Sequence, residues 1–254
     1  MILLCDIGNT RFKWAVLDEH GLGAQRAEPY AGWGVTQVRA QVLLPAGKAS
    51  RVIVSNVGGD DIAEMFRRTV QDDLGFAPEF VRSTARAAGV RNAYPQPEKL
   101  GVDRWVAMIG AHDQERRAVC VVDVGTAATI DAVAADGTHL GGLIVPGPDL
   151  LVSSLMRNTS DIATFAREGQ ANAGFFANNT LAALTHGAVH ALAALIERAV
   201  NATRLQTAEE PTVLLTGGAS DRLEPALRIP FKKVPDLVLQ GLAVLAREKP
   251  GALQ

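Results

Sequence analysis

Residues 1–10 read MILLCDIGNT, and residues 118–127 read AVCVVDVGTA. Each is an apolar run that reaches an aspartate, Asp6 or Asp123, and then breaks at a turn, Gly8-Asn9-Thr10 or Gly125-Thr126-Ala127. Short apolar runs bounded by turn signals read as buried strands. Beyond the first turn, Phe12, Trp14 and Val16 alternate onto one face of a second strand, and Asp18 to Gly21 reads as another turn. Beyond the second, Thr129 to Val133 is the next strand, Asp136-Gly137 is a hairpin signal, and residues 139–145 form a third strand. Asp and Gly favour turns anywhere, so one such turn would be coincidence. The same plan repeated in order predicts an internal duplication.

The later parts of the two halves match as well. VIVSNVGG (52–59) and VLLTGGAS (213–220) each read as a strand, a glycine turn and the approach to a helix. Helices are expected over 60–74, 103–115, 181–200 and 236–247, interleaved with the strands. The expected class is therefore α/β, with two like-folded domains, 1–117 and 118–254. Each would be a mixed sheet flanked by helices, and the last helix is free to pack back across the boundary.

The 254 residues are 48% apolar and 20% charged, with a net charge of -2, which excludes a disordered chain. No basic run points to nucleic acid. At the N-terminus, Asp6 ends the apolar run too early for a signal peptide. No apolar stretch approaches bilayer-spanning length, so the expectation is a cytosolic protein with no membrane partner. Cys5 and Cys120 lie in apolar runs without Cys-x-x-Cys spacing and read as buried thiols, not a zinc or redox pair. His186 and His190 share a helix face, but no Glu lies between them as in His-Glu-x-x-His. A helix-surface or subunit-interface role is expected there. The surrounding helix is apolar on most sides (Leu181, Leu184, Val189, Leu192, Leu195, Ile196), which predicts burial in the core or in a dimer interface.

The glycine turns carry the chemistry. Successive backbone N–H groups in such a turn cradle a phosphate, and glycine lets it approach closely. Asn9, Thr10, Thr126 and Thr129 add neutral donors, and Arg11 and Lys13 add cationic ones. Asp6 and Asp123 place hard oxygen atoms at the strand tips, which suits a Mg²⁺ ion that keeps most of its waters and takes phosphate oxygens. Two facing loops of this kind would grip the β- and γ-phosphates from both sides. No P-loop, dinucleotide turn, nucleophile elbow or protein-kinase motif set is present.

Asp6-Ile7-Gly8-Asn9-Thr10 and Asp123-Val124-Gly125-Thr126-Ala127 resemble the two phosphate loops of the acetate and sugar kinase, Hsp70 and actin superfamily, and Leu215-Thr216-Gly217-Gly218-Ala219 resembles its adenosine-contacting turn. The segment Asn92-Ala-Tyr94-Pro-Gln-Pro97-Glu-Lys-Leu100-Gly101-Val102-Asp103-Arg104 is similar to the Asn-x-Tyr-x-x-Pro-x-x-Leu-Gly-x-Asp-Arg pattern of type III pantothenate kinases. Asp123-x-Gly-Thr-Ala-x-Thr-x-Asp131, Gly141-Gly142-x-Ile144-x-Pro146-Gly147, Asn179-Thr180 with Gly187, and Pro235-Asp236 with Gly241 also fit.

That resemblance implies two ribonuclease-H-like (actin-type) domains with a cleft between them. It implies transfer of the ATP γ-phosphoryl group to the terminal hydroxyl of pantothenate, the first step of coenzyme A synthesis. It makes Asp103 the general base. Tyr94, Gly101, Val102, Asp103, Arg104 and Thr180 would contact pantothenate, with Thr180 reaching over from the second subunit of a homodimer. Asp6, Ile7, Gly8, Asn9, Thr10, Arg11, Phe12, Lys13 and Thr126 would hold ATP. Asp6 would hold Mg²⁺ through water, and a monovalent cation, K⁺ or NH₄⁺, would sit near Asp123. Plainer roles stay open at these positions: helix capping for Asp103 and Thr180, a surface ion pair for Arg104, loop packing for Tyr94. The alternatives are another small-molecule kinase of the superfamily, against which the Tyr94–Arg104 segment argues, and a regulatory accessory factor, against which the intact Asp103 and loops argue.

Overall fold

The computed structural model describes residues 1–166 and 174–247. The chain begins with β1 (Ile2–Ile7), β2 (Arg11–Asp18), β3 (Gly21–Leu22) and β4 (Arg26–Pro29). A short helix α1 (Val35–Val38) widens through a π turn at Arg39–Leu43 into α2 (Leu44–Ala46). Then come β5 (Arg51–Asn56), α3 (Asp60–Leu74), β6 (Glu79–Phe80), the β7–β8 ribbon (Arg86–Ala87 and Val90–Arg91) and α4 (Val102–Glu115). The second half runs β9 (Val119–Val124), β10 (Ala127–Val133), β11 (His139–Pro146), α5 (Pro148–Asn158), α6 (Ser160–Phe165), α7 (Thr180–Thr207), β12 (Thr212–Thr216), β13 (Lys232–Lys233) and α8 (Leu237–Leu245).

The two main sheets share one strand order. The first is β3-β2-β1-β5-β6, with β4 also on β2; the second is β11-β10-β9-β12-β13. Within them β1 pairs parallel with β5, β5 with β6, β9 with β12, and β12 with β13. The central strands are buried on both faces, as parallel strands covered by helices must be. The duplication extends to register. Asp6 lies opposite Ser55, and Asp123 lies opposite Thr216, so each aspartate has a hydroxyl residue beside it on the next strand.

The chain forms two compact units. The first comprises Met1–Arg117, Val133–Gly141 and the segment from Asp236 onward; the second comprises Ala118–Ala132 and Gly142–Pro235. The expected second domain, 118–254, is thus divided: Val133–Gly141 and the segment from Asp236 onward lie in the first unit. The last helix explains one of them. Leu237, Val238, Leu239, Gly241, Leu242, Val244 and Leu245 are all buried in α8, which packs on α4. The two helices meet at glycines: a Cβ on Gly110 would lie 2.8 Å from the Gly241 nitrogen, and one on Gly241 would fall on the Val106 carbonyl.

Phe12 centres the first core, with ring centroids 6.0 Å from Trp14, 5.8 Å from Trp33 and 5.4 Å from Phe66. The second core gathers Val122, Val124 and Ile130 from the sheet with Leu192, Ile196 and Val200 of α7. Among the described residues α7, at 28 residues, is long and apolar enough to cross a bilayer by length and composition alone. This corrects the expectation that no stretch approaches that length. Its Ala, Leu, Ile and Val stripe against the sheet is buried, while Leu205 is exposed, so the helix is covered on one side and not all round.

Candidate active site

The first loop is closed by the Gly8 N–H, which donates to the Arg11 carbonyl at 3.0 Å. Tyr30 donates its hydroxyl to the Gly8 carbonyl at 2.7 Å. The Val57-Gly58-Gly59 turn packs beside it: the Val57 N–H donates to the Ile7 carbonyl at 2.9 Å, and a Cβ on Gly58 would stand 2.9 Å from the Gly8 carbonyl oxygen. Asn9, Thr10 and Arg11 are exposed. Ile7 and Phe12 are wholly buried, so their side chains offer no contact to solvent.

Behind the loop Asp6 is 3% exposed, and Lys13 Nζ lies 3.4 Å from its Oδ2. Its Oδ1 is buried without a hydrogen-bond partner, and so is Ser55 Oγ on the neighbouring strand. Leaving such groups unpaired costs about 1–3 kcal/mol each. An orphaned carboxylate oxygen beside an orphaned hydroxyl fits a hydrated cation.

The second loop is built alike. The Gly125 N–H donates to the Ala127 carbonyl at 2.9 Å, and the Gly147 N–H donates to the Thr126 carbonyl at 2.9 Å. A Cβ on Gly147 would collide with the Gly125 carbonyl, which accounts for the Pro146-Gly147 motif. Helix α5 starts at this contact, so its positive end lies against the loop. The Thr216-Gly217-Gly218 turn also closes on it. A side chain on Gly217, at φ +95°, would strike the Asp123 carboxylate, and the Ala219 N–H donates to the Val124 carbonyl at 2.9 Å. Asp123 is half-buried and Thr126 exposed. Thr180 is the first residue of α7, and the cap is Asn179, whose side chain accepts from the Ala182 N–H at 3.0 Å. The capping role held open for Thr180 thus belongs to its neighbour.

The Asn92–Arg104 segment folds on its own polar side chains. Asn92 accepts from the Tyr94 N–H at 3.0 Å and donates to the Thr84 carbonyl at 3.2 Å. Ser83 donates to the Leu100 carbonyl at 2.8 Å. Gly101 precedes α4 and supplies no side-chain cap. Asp103, in the first turn, accepts from the Arg104 N–H at 2.8 Å through Oδ1. A Cβ on Gly101 would lie 2.8 Å from that oxygen, so glycine there is what gives the carboxylate its room.

Arg104 is 6% exposed, which rules out the surface-pair reading. Its Nη1 donates to the Tyr94 hydroxyl at 3.3 Å, and its guanidinium carbon stands 6.0 Å from the Tyr94 ring centre. The other ring on Tyr94 is His139, stacked at 6.2 Å and 12°. Ser55 and His139 escaped sequence reasoning. Their only signal is a polar residue within or opening an apolar strand.

His186 and His190 lie 6.4 Å apart with Phe175 against His190, and the described residues hold no cluster of three metal-ligating side chains. Burial, then the neighbouring Asp6, raises the Cys5 thiol; burial and Asp131 push Cys120 up to about 12. Both stay protonated thiols at neutral pH. A cavity of about 420 Å³ lined by Leu17, Asp18, Asp113, Gln240 and Arg247 contains none of the expected site residues.

Two sheets of identical strand order, each with an aspartate at the tip of its first strand and a glycine turn beyond it, define a nucleotide-binding phosphotransferase of the actin-type α/β fold. Solved structures agree on the fold. A conserved protein assigned to the Baf family of transcriptional activators, from Campylobacter jejuni, aligns with a TM-score of 0.61 at 20% identity, covering 96% of this chain and 98% of that one. The activator of 2-hydroxyisocaproyl-CoA dehydratase from Clostridium difficile, with bound ADPNP, aligns with a TM-score of 0.55 at 13% identity, over 96% and 93%. The family model described as type III pantothenate kinase matches residues 2–202. The type III pantothenate kinase of Aromatoleum aromaticum is 41% identical over 99% of this chain and 100% of its own length. That of Nitrosococcus oceani is 38% identical over 98% and 94%. The chain belongs to the type III pantothenate kinase family.

Proposed function

We propose that this protein transfers the γ-phosphoryl group of ATP to the terminal hydroxyl of pantothenate, with Asp103 as general base. The carrying observation is the head of α4. There one first-turn carboxylate and one buried guanidinium sit on adjacent residues, the second held on Tyr94. Phosphoryl transfer asks for positioning and charge neutralisation more than covalent chemistry. A carboxylate within hydrogen-bond reach of the attacking hydroxyl accepts its proton as the bond to phosphorus forms. Arg104 offers a planar fork for the pantothenate carboxylate, and Gly101, Val102, Tyr94 and Thr180 complete the substrate contacts.

ATP is held by residues 6–13 and Thr126, with the Gly8 turn supplying backbone N–H groups. Mg²⁺ is held through water by Asp6, whose orphaned Oδ1 supports that reading, and would neutralise phosphate charge when bound. Asp123, half-buried beside the Thr216 strand, is the proposed neighbour of a K⁺ or NH₄⁺ ion. A homodimer is supported by large apolar side chains left exposed in the second unit: Ile144 on β11, Leu155 on α5, and Phe175 and Phe176 before α7. The cytosol is the proposed compartment.

A coupled assay of ADP release with Mg²⁺ tests the reading. Turnover that requires pantothenate is expected. Its absence across a range of K⁺ and NH₄⁺ concentrations would sink it.

A further inference from the structure

His139 opens β11, yet it belongs to the first unit with the rest of the Val133–Gly141 segment. The segment is a tight hairpin: the Gly137 N–H donates to the Ala134 carbonyl at 2.9 Å, and Gly137 takes φ +81°. It is fastened to the β7–β8 ribbon. Arg91 binds the Asp136 carboxylate at 2.9 Å and also the Thr138 hydroxyl, and its own N–H donates to the Gly137 carbonyl at 2.8 Å. The hairpin thereby sets the His139 ring, itself 2% exposed, nearly parallel to the Tyr94 ring at 6.2 Å. His139 Nδ1 also accepts from the Ala93 N–H at 3.4 Å, immediately before Tyr94.

We infer that His139 is a positioning residue for the acceptor substrate: it fixes the plane of the Tyr94 ring, and through the Tyr94 hydroxyl it fixes the Arg104 fork. A tyrosine on a loop is free to rotate about χ1; stacking against a buried ring removes that freedom. Arg104 in turn commits one donor to the Tyr94 hydroxyl, so the placing of that hydroxyl bears on the orientation of the fork. The role is confined to the pantothenate side. It rests on the assignment of Tyr94 and Arg104 to that substrate.

The test is steady-state kinetics on His139→Leu, His139→Phe, Tyr94→Ala and the double variant His139→Leu/Tyr94→Ala. Aromatic stacking of this kind predicts a rise of about three- to tenfold in the KM for pantothenate in His139→Leu, with the KM for ATP unchanged. His139→Phe keeps the stack and restores the KM. The double variant matches Tyr94→Ala alone, because the histidine acts through the tyrosine. An unchanged pantothenate KM in His139→Leu, an equal rise in the KM for ATP, or additive effects in the double variant would overturn the inference. Should the leucine variant not fold, His139→Gln keeps the polarity without the ring and takes its place in the same comparison. A Tyr94→Ala enzyme with a normal pantothenate KM would instead remove the substrate assignment beneath it, while wild-type turnover would leave the kinase reading standing.

Discussion

At the scale of single residues, Asp103 has one structural duty and one proposed duty. Oδ1 takes the Arg104 N–H in the first turn of α4, which is a structural duty. The proposed catalytic duty belongs to the carboxylate as a base. Asparagine separates them, since it keeps an acceptor oxygen and lacks the basicity. Asp103→Asn is expected to fold with a melting temperature near that of the parent and to lose about 10²–10⁴-fold in kcat, the usual contribution of a general base. Near-normal turnover would return Asp103 to a purely structural part. Arg104 shows how far sequence could see. The motif named it, but its burial, its bond to Tyr94 and the stacking of Tyr94 on His139 are set by tertiary packing that no local pattern encodes.

At the scale of elements, glycines set the helix contacts. Helices α4 and α8 cross where Gly110 meets Gly241, leaving no room for a methyl group. Gly241→Ala is expected to destabilise by about 1–3 kcal/mol through forced backbone displacement, read as a lower urea midpoint. An unchanged midpoint would mean that the helices part without cost. The C-terminal turn of α4 holds a second constraint. His112 is 5% exposed beneath Gly89 and Gly137, and its Nδ1 is buried without a partner. Burial chiefly, and then Arg116, hold its proton affinity below the ordinary histidine value, against the opposing pull of Asp113 and Asp136. The folded state therefore prefers the neutral ring. The unfolded chain binds the extra proton below about pH 6.5, so this share of stability is present above that pH and is lost as pH falls. The melting temperature is expected to drop between pH 7.5 and 5.5, and His112→Gln should flatten the slope. An identical slope in both proteins would remove His112 as the cause.

At the scale of the whole molecule, the duplication was written plainly in two aspartate-tipped turns, and the helices at 60–74 and 103–115 emerged as Asp60–Leu74 and Val102–Glu115. Periodicity reports such elements because each buries its own apolar stripe. The stretch from Val35 to Ala46 was not legible, because Pro45 and a π turn break the period there. Nor was α5, although Gly147 followed by Pro148 is a helix-start signal. The membership of segments in the two units was hidden for a different reason. Chain order says which residues are consecutive, and only packing says which side of α8 meets α4.

The polypeptide passes from one unit to the other after residues 117, 132, 141 and 235. This gives synthesis an order of events. When the ribosome has finished the first 117 residues, Val106 and Gly110 still lack the helix that will cover them, because α8 follows the second unit in the sequence. A nascent chain must therefore carry an uncovered apolar helix until α8 emerges, because the whole of the second unit is made in between.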